Sequence, residues 1–416
     1  MVSFVLLATS SRVAQAQQSL TWQQIQQRFE ATNPTLQADQ LNVDESRAQE
    51  ITAYLRPNPN FSVTVDGRQI APYQTVWQPL SGTFVVPSIS YLHERDHKRD
   101  LRLESAKKGP VVAEFSHADL QRTLLFTLRS AFISTLQAKA LLQLATADLD
   151  YWDHVLKISR ARLDAGDIAQ IDLDRLELQR VQYEAEVQTA EVNLRTSKIQ
   201  LLTLLNDRTP IDQFDVTGPY DFAEQVQALS DVRNIALDTR PDLKVAVESV
   251  DKSKTDHKLA IANGSTDPTF SGWWTWNAST NNPDARETLG FSIGIPLRIF
   301  DRNQGEKLRT QFDITRNEKL RDATEAQVHS DVDSGYATLN STLILLRPYK
   351  AKYLQQSVHV RDTVYFAYQN GGASLLDFLS AESDYRAVQL NYVNLVGSYL
   401  TAAAPLNMAV GREVVP

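Results

Sequence analysis

The sequence predicts a mainly α-helical protein with a small β part, built as a duplicated helix–hairpin–long-helix unit. Glycine and proline are scarce, at 15 and 16 of 416 residues, so turns should be few and helices long. Short motifs recur in one order about 205 residues apart, which indicates a tandem repeat. Apolar residues then follow heptad spacing near the end of each copy, a pattern typical of coiled-coil packing.

The N-terminus resembles a secretory signal peptide over residues 1–16. Val2 to Ala8 form a short apolar core, and Ala14 to Ala16 give a small-residue cleavage pattern. We therefore expect export from the cytoplasm. The chain has no cysteine, which excludes a disulfide framework, a cysteine-ligated metal, a thiol nucleophile and a lipid anchor on cysteine.

Composition excludes several function classes. Lys and Arg number 42 against 50 Asp and Glu, a net charge of −8, so no nucleic-acid partner is expected. No apolar run reaches the roughly 18 residues that a transmembrane helix needs. No G-x-S-x-G, phosphate-binding loop or dinucleotide motif occurs, so we expect neither a cofactor nor enzymatic activity.

The two copies are predicted to span 17–226 and 227–416. The recurring residues are Pro34 with Pro241, Pro59 with Pro268, Phe61 with Phe270, Gly166 with Gly371, and Asp172 with Asp377. Each copy should begin with two short helices, about 20–55 and 227–262, because a proline marks a break between them. A linker over 207–226 should end the first copy.

Strand pairs follow the short helices, over 59–92 and 268–297. The expected strands are 59–67, 82–92, 268–279 and 287–297. From Leu289 to Leu297 apolar residues alternate with small ones, which is typical of a strand with one apolar face. Trp273, Trp274 and Trp276 add the aromatic density of a membrane-interface girdle.

Long helical stretches complete the copies, over 94–206 and 302–403. Each should break once, near Gly166 or Gly371. The heptad stripes run from Leu173 to Leu204 and from Phe378 to Ala402. At about 1.5 Å per residue, the stretch from 302 to 370 would span roughly 100 Å, far more than a globular core requires.

Two motif pairs give the chain a resemblance to the TolC family of outer-membrane efflux proteins. One pair surrounds Gly166 and Gly371; the other is the strand-to-helix junction after Gly294, which is similar to the CzcC-like heavy-metal efflux group. The junction residues are Pro296, Asp301, Arg302, Asn303, Gln304 and Gly305. The resemblance implies a homotrimer with an α-helical tube in the periplasm and a twelve-stranded β-barrel in the outer membrane, four strands per chain.

The same resemblance implies that both helix turns lie at the periplasmic tip, where the duct is gated and an adaptor (membrane fusion) protein docks. The tip residues are Arg162, Leu163, Gly166, Asp172, Gly371, Gly372 and Asp377. Glycine permits the left-handed conformation that ends a helix, and an aspartate in the first turn of the next helix favours its dipole. Three further acids are candidates for an acidic ring at the lumen: Asp167, Asp174 and Asp384.

His93, Glu94 and His97 match H-E-x-x-H, the signature of zinc peptidases. Genuine sites lie on a largely buried helix, whereas charged residues surround this one, and no third ligand is evident. We interpret the match as chance and expect no metal site.

The sequence therefore predicts the outer-membrane exit duct of a tripartite efflux system, passing metal cations or small toxic molecules. Its expected partners are the adaptor, an inner-membrane pump of the resistance–nodulation–division (RND) class, and outer-membrane lipid. Two alternatives remain: a type I secretion duct for proteins, and a soluble periplasmic coiled-coil scaffold.

Overall fold

The computed structural model describes residues 18–72, 74–80, 82–277 and 286–415. The predicted signal peptide lies outside this part of the chain. Helices dominate the described residues and strands are few, which confirms the predicted fold class.

The first half of the chain begins with strand β1 and two short helices. The elements are β1 (Gln18–Leu20), α1 (Trp22–Thr32), α2 (Pro34–Tyr54), β2 (Asn60–Asp66), β3 (Phe84–Leu92), α3 (Lys98–Asp164), α4 (Gln170–Leu204), a 3₁₀ turn (Ile211–Gln213) and β4 (Phe214–Val216). Thr21 and Gln24 form a capping box on α1, and the Asn33 side chain accepts the backbone N–H of Leu36, which fixes the start of α2.

The second half follows the same order of elements. It contains α5 (Leu229–Thr239), α6 (Pro241–Ala262), β5 (Thr269–Asn277), β6 (Glu287–Gly294), α7 (Gln304–Pro348), a π-helical turn (Tyr349–Tyr353), α8 (Leu354–Gln369) and α9 (Leu375–Val410). Pro34 and Pro241 each occupy the first position of a helix, where the missing N–H has no helical partner to lose.

Several expected boundaries differ from the observed ones. The long helices begin at Lys98 and Gln304 rather than at 94 and 302, because Asp96, His97 and Asn303 adopt positive φ angles that no helix tolerates. Strand β6 ends at Gly294 rather than at 297. The last helix runs on to Val410, where Gly411 ends it at φ 82°.

Two further features were not expected. The second long stretch contains the π-helical turn directly after Pro348, whose ring removes a backbone donor and disturbs the hydrogen-bond ladder. The 207–226 linker contains β4, which pairs in parallel with β1 through Leu20 and Val216. Both strands have three residues, which is too short for an alternation of apolar and polar residues to be recognised in the sequence.

The chain forms two compact units. One comprises the residues up to Ala38 with Ala118–Arg240 and Ala326–Pro416; the other comprises Asp39–His117 and Pro241–Glu325. Each unit takes segments from both halves of the chain, so the compact units cut across the predicted division at 226. That division stays a prediction about the repeat.

Two apolar cores lie among the described residues of the first unit. In one, residues of α1, α3, α4 and β4 pack together, with Ile25, Leu128 and Leu201 fully buried. In the other, the predicted heptad stripes meet around Phe378, with Leu176 and Trp152 buried against it. This packing confirms the heptad pattern.

The second unit contains the principal sheet. Within the described residues its strand order is β2-β3-β5-β6, and every neighbouring pair is antiparallel. As a separate finding, no described helix combines the length and the apolar composition needed to cross a lipid bilayer.

Candidate functional site: a two-faced sheet and two helix turns

The four-stranded sheet has one apolar face. Register pairs Phe61 with Ile89, Tyr91 with Phe270, and Phe270 with Ile293, so directly opposed residues project to the same side. This side carries the large apolar residues, exposed or half-buried: Phe61, Val63, Val65, Val85, Ile89, Tyr91, Phe270, Trp274, Trp276, Leu289, Phe291 and Ile293. A face of this size without cover within its own unit marks contact with something apolar.

The opposite face is rich in hydroxyl groups. Its hydroxyl-bearing members are Ser62, Thr64, Ser88, Ser90, Thr269, Ser271, Thr275, Thr288 and Ser292, and the apolar residues Phe84, Val86 and Leu92 lie on the same face. The hydroxyls of Ser62 and Ser88 lie 2.7 Å apart in a hydrogen bond across the strands. Trp273 also lies on this face, so it does not share a girdle with Trp274 and Trp276 as the sequence suggested. It covers Gly290, where a Cβ would collide with the indole ring.

Both edges of the sheet are open. Among the described residues β2 pairs only with β3, and β6 only with β5. Open edges leave backbone N–H and C=O groups without partners, a state that lipid does not tolerate. The strands have seven to nine residues, so at about 3.3 Å per residue they are about 23–30 Å long. Only the longer ones reach the roughly 9–11 residues of a tilted membrane strand.

The turn after α3 is a Schellman motif. Gly166 has φ +82°, its N–H donates to the carbonyl of Leu163 at 2.9 Å, and the N–H of Asp167 donates to the carbonyl of Arg162 at 2.8 Å. The predicted tip residues Arg162, Leu163 and Gly166 therefore belong to one hydrogen-bonded turn.

The turn after α8 repeats this geometry. Gly371 has φ +75° and donates to the carbonyl of Tyr368, while Gly372 donates to the carbonyl of Ala367 at 2.8 Å. A capping box follows, since Ser374 and Asp377 bond each other's side chains and backbone N–H groups. The Ser374 hydroxyl and backbone N–H hold the pKa of Asp377 below its usual value.

The first turn lacks that box. Asp172 occupies the first turn of α4, but the N-cap is Ala169, which has no side chain to accept or donate. Both aspartates lie in the first turn of a helix, as expected, but only Asp377 forms a reciprocal cap, whereas Asp172 lies near the helix dipole without such a partner.

The two turns pack together within one chain. The guanidinium of Arg162 lies over the ring of Tyr368, which stacks on Phe378 at 5.2 Å between ring centroids and 7° between planes. Trp152 contacts Phe378 and Tyr183, which links helices α3, α4 and α9.

The three candidates for an acidic ring have exposed side chains, with Asp167 in the turn after α3, Asp174 in α4 and Asp384 in α9. Asp174 accepts a hydrogen bond from Gln170 at 2.8 Å. No hydrogen bond or ion pair joins Asp167, Asp174 and Asp384 within the described part of the chain, so the ring stays a prediction about an assembly of chains.

A buried charge cluster was missed by sequence reasoning. Glu382 is 4% exposed, and its Oε1 atom has no hydrogen-bond partner among the described residues. Burial raises its pKa, and burial raises that of Asp148 to about 6. Arg386 bridges to Glu186 and approaches Asp148 at 3.6 Å, beside a cavity of ≈ 390 Å³. These acidic residues lie next to the heptad positions, and the apolar pattern alone predicts that side chains there are exposed.

The H-E-x-x-H match is not helical. Asp96 and His97 have φ angles of 52° and 57°, and α3 begins only at Lys98, so His93 and His97 cannot share a helix face. Glu94 instead accepts two hydrogen bonds from Arg102, at 2.7 and 3.2 Å. Among the described residues no group of His, Asp and Glu is arranged to hold a metal ion.

The second junction is a local hydrogen-bonded turn. Asn303 adopts φ +61°; its N–H donates to Asp301, and its side chain donates to the carbonyl of Ala260 at 2.7 Å. Gln304 accepts from the N–H of Arg302, while a Cβ at Gly305 would meet nothing. Pro296 lies beyond the end of β6 rather than within the strand.

Comparison with known proteins agrees with this architecture. The outer membrane efflux protein family matches residues 232–412. The cobalt-zinc-cadmium resistance protein CzcC of Cupriavidus metallidurans is 21% identical over 393 residues, covering 92% of this chain and 87% of that protein. The pyoverdine export outer membrane protein OpmQ of Pseudomonas aeruginosa is 22% identical, covering 75% of this chain and 66% of that protein.

Among solved structures, the outer membrane protein VceC of Vibrio cholerae superposes with a TM-score of 0.73 at 15% identity, covering 94% of this chain and 96% of VceC. The two-faced sheet and the long helices thus share the fold of known outer-membrane channels. In sequence the chain is similar to outer membrane efflux proteins: the family matches its second half, and the similarity to CzcC extends over most of its length.

Proposed function

We propose that three copies of this chain assemble into one duct, which carries metal cations from a pump–adaptor complex to the exterior. The observation that carries the proposal is the four-stranded sheet with one apolar face, one hydroxyl face and two open edges. Three such sheets, joined β6 to β2, would close a barrel of twelve strands with lipid outside and water inside.

The helix turns would form the gated periplasmic end and the docking site of the adaptor. Support comes from the matched Schellman turns at Gly166 and Gly371, which present two similar loops from one chain. Opening would repack α3–α4 against α8–α9 around Phe378, since helices of a coiled coil can exchange between discrete arrangements. The pump would be of the RND class, and the chain would perform no catalysis.

The substrate assignment rests on the similarity to CzcC, whose name gives cobalt, zinc and cadmium resistance. The similarity to OpmQ favours a second candidate, export of a siderophore such as pyoverdine. A protein-secreting type I duct and a soluble scaffold are weaker alternatives, since a scaffold has no use for the apolar sheet face.

The test is deletion of the gene from its host, followed by growth on graded Co²⁺, Zn²⁺ and Cd²⁺ and by assay of siderophore release. Lower metal tolerance with normal siderophore release is the expected result, and the reverse would assign the second candidate. Recovery of the chain as a monomer from the periplasm without detergent would overturn the duct itself.

A further inference from the structure

We propose that residues Ile295 to Arg302, the boundary segment, bind the surface of the lipid bilayer and anchor the sheet there. The proposal rests on the duct function and adds a lipid-binding site at the end of the sheet where α3 and α7 begin. The occupant is a phospholipid, with its acyl chains on the apolar residues and its phosphate on the arginines.

The boundary segment exposes large apolar side chains. Phe300 is 89% exposed and Leu297 is 79% exposed, and Ile295 and Ile299 are exposed as well. Four such residues within six positions form a contiguous apolar stretch, which a water-facing turn has no reason to carry.

The segment is nevertheless fixed in place. The N–H of Ile299 donates to the carbonyl of Leu297 at 2.9 Å, and the side chain of Gln304 donates to the carbonyl of Phe300 at 3.0 Å. The Asn303 side chain ties the following turn to the end of α6. The exposure of Phe300 is therefore held by local hydrogen bonds.

The segment also continues an apolar surface. Leu289, Phe291 and Ile293 lie on the apolar face of β6, and Ile295 and Leu297 extend the same alternation beyond the strand. A lipid that covers the sheet face would meet these residues next.

Charge complementarity identifies a phosphate-bearing partner. Arg298 and Arg302 lie within the segment, and neither has a carboxylate within salt-bridge distance among the described residues. The Arg302 guanidinium donates to the carbonyl of Arg298 at 3.2 Å, and the charge of Arg298 acts on Asp267 from a longer distance. At the other edge of the sheet, exposed Leu55 precedes exposed Arg56 just before β2 begins. Apolar residues beside arginine at both edges match the composition of a membrane boundary.

The absence of cysteine from the sequence permits a direct test. Phe300→Cys carries a nitroxide, and its collision rates with oxygen and with a water-soluble nickel chelate are measured in vesicles of phosphatidylethanolamine and phosphatidylglycerol. Phe291→Cys, on the sheet face, is the lipid reference, and Lys319→Cys, on exposed α7, is the aqueous reference.

A label at 300 that favours oxygen as strongly as the label at 291 supports the proposal. A label that collides with nickel as often as the label at 319 overturns it, and so does one shielded from both reagents, which would indicate a subunit contact. If the label at 291 is also aqueous, the duct function fails instead, so the two failures are distinguishable.

A second arm tests the arginines. Arg298→Gln with Arg302→Gln should increase nickel collisions at position 300 at least twofold in vesicles with phosphatidylglycerol, and less in pure phosphatidylcholine. An equal effect in both vesicles would overturn the assignment of a phosphate contact.

Discussion

The guanidinium carbon of Arg162 lies 5.1 Å from the ring centroid of Tyr368, and this contact joins the two helix turns of the chain. Arg162 also provides the carbonyl that closes the first Schellman motif. One residue thus ends α3 through its backbone and holds the end of α8 through its side chain.

Replacing Arg162 by Gln should weaken the contact between the turns. Loss of the cation–π interaction should lower the free energy of unfolding by about 0.5–1 kcal/mol, because the backbone bond to Asp167 remains. Denaturant unfolding followed by circular dichroism measures the change. Arg160→Gln is the matched control, since Arg160 is exposed and, within the described part of the chain, pairs with Glu177 alone. A larger loss in the control would contradict the role given to Arg162.

The capping box at the start of α9 can be removed by substitution, and a similar one can be introduced at the start of α4. Ser374→Ala should remove the capping box of α9 and cost about 0.5–2 kcal/mol, whereas Ala169→Ser should create one with Asp172 and stabilise α4 by a similar amount. Equal effects of opposite sign in thermal unfolding are expected; destabilisation by Ala169→Ser would show that the first turn cannot accept the box.

The Ser374→Ala effect should also depend on pH. The pKa of Asp377 is lowered in the folded chain, so its contribution exists above the unfolded pKa of about 3.9 and disappears as pH falls through the folded value. The difference between the unfolding curves of the wild type and the variant should therefore narrow in strong acid, to the part that comes from the Ser374 hydroxyl accepting the backbone N–H of Asp377.

The sequence was sufficient to predict structural features that depend on neighbouring residues in the chain. Gly166 and Gly371 were identifiable because a left-handed helix end favours glycine, and the heptads identified Leu176 and Phe378 as core. It failed where distant elements decide the outcome. Glu382 is buried where Tyr151 of α3 and Arg361 of α8 lie near it, and His97 lies outside α3 because Asp96 and His97 take positive φ.

Substitutions of the histidines and of the glutamate in the H-E-x-x-H match should have different effects. His93→Ala and His97→Ala should leave metal tolerance and stability unchanged, because neither side chain holds a metal or a core contact that the fold requires. Glu94→Gln should cost about 1–3 kcal/mol, since it breaks the partly buried pair with Arg102. Zinc binding to the wild type by calorimetry, lost in His93→Ala, would contradict this interpretation.

The buried acids should make stability fall as pH rises through the weakly acidic range. The pKa of Asp148 is about 6 in the folded chain, because burial opposes ionisation more than Arg386 and Arg361 favour it. An unfolded Asp ionises near about 3.9. Between these values the folded state binds more protons than the unfolded state, so the free energy of unfolding decreases with rising pH.

Asp148→Asn stays neutral throughout and should flatten that part of the pH profile. At neutral pH the variant should be more stable than the wild type by on the order of 1 kcal/mol, less than the full pKa difference implies because the carboxyl is only partly buried. Asp150→Asn, two residues further along α3 and exposed, serves as the control and should retain the wild-type slope. If the pH profiles of stability for the wild type and Asp148→Asn are parallel, the pKa of Asp148 is not raised in the folded chain, and the prediction is wrong. Glu382→Gln should change the profile in the same direction, because burial raises the pKa of that carboxyl too.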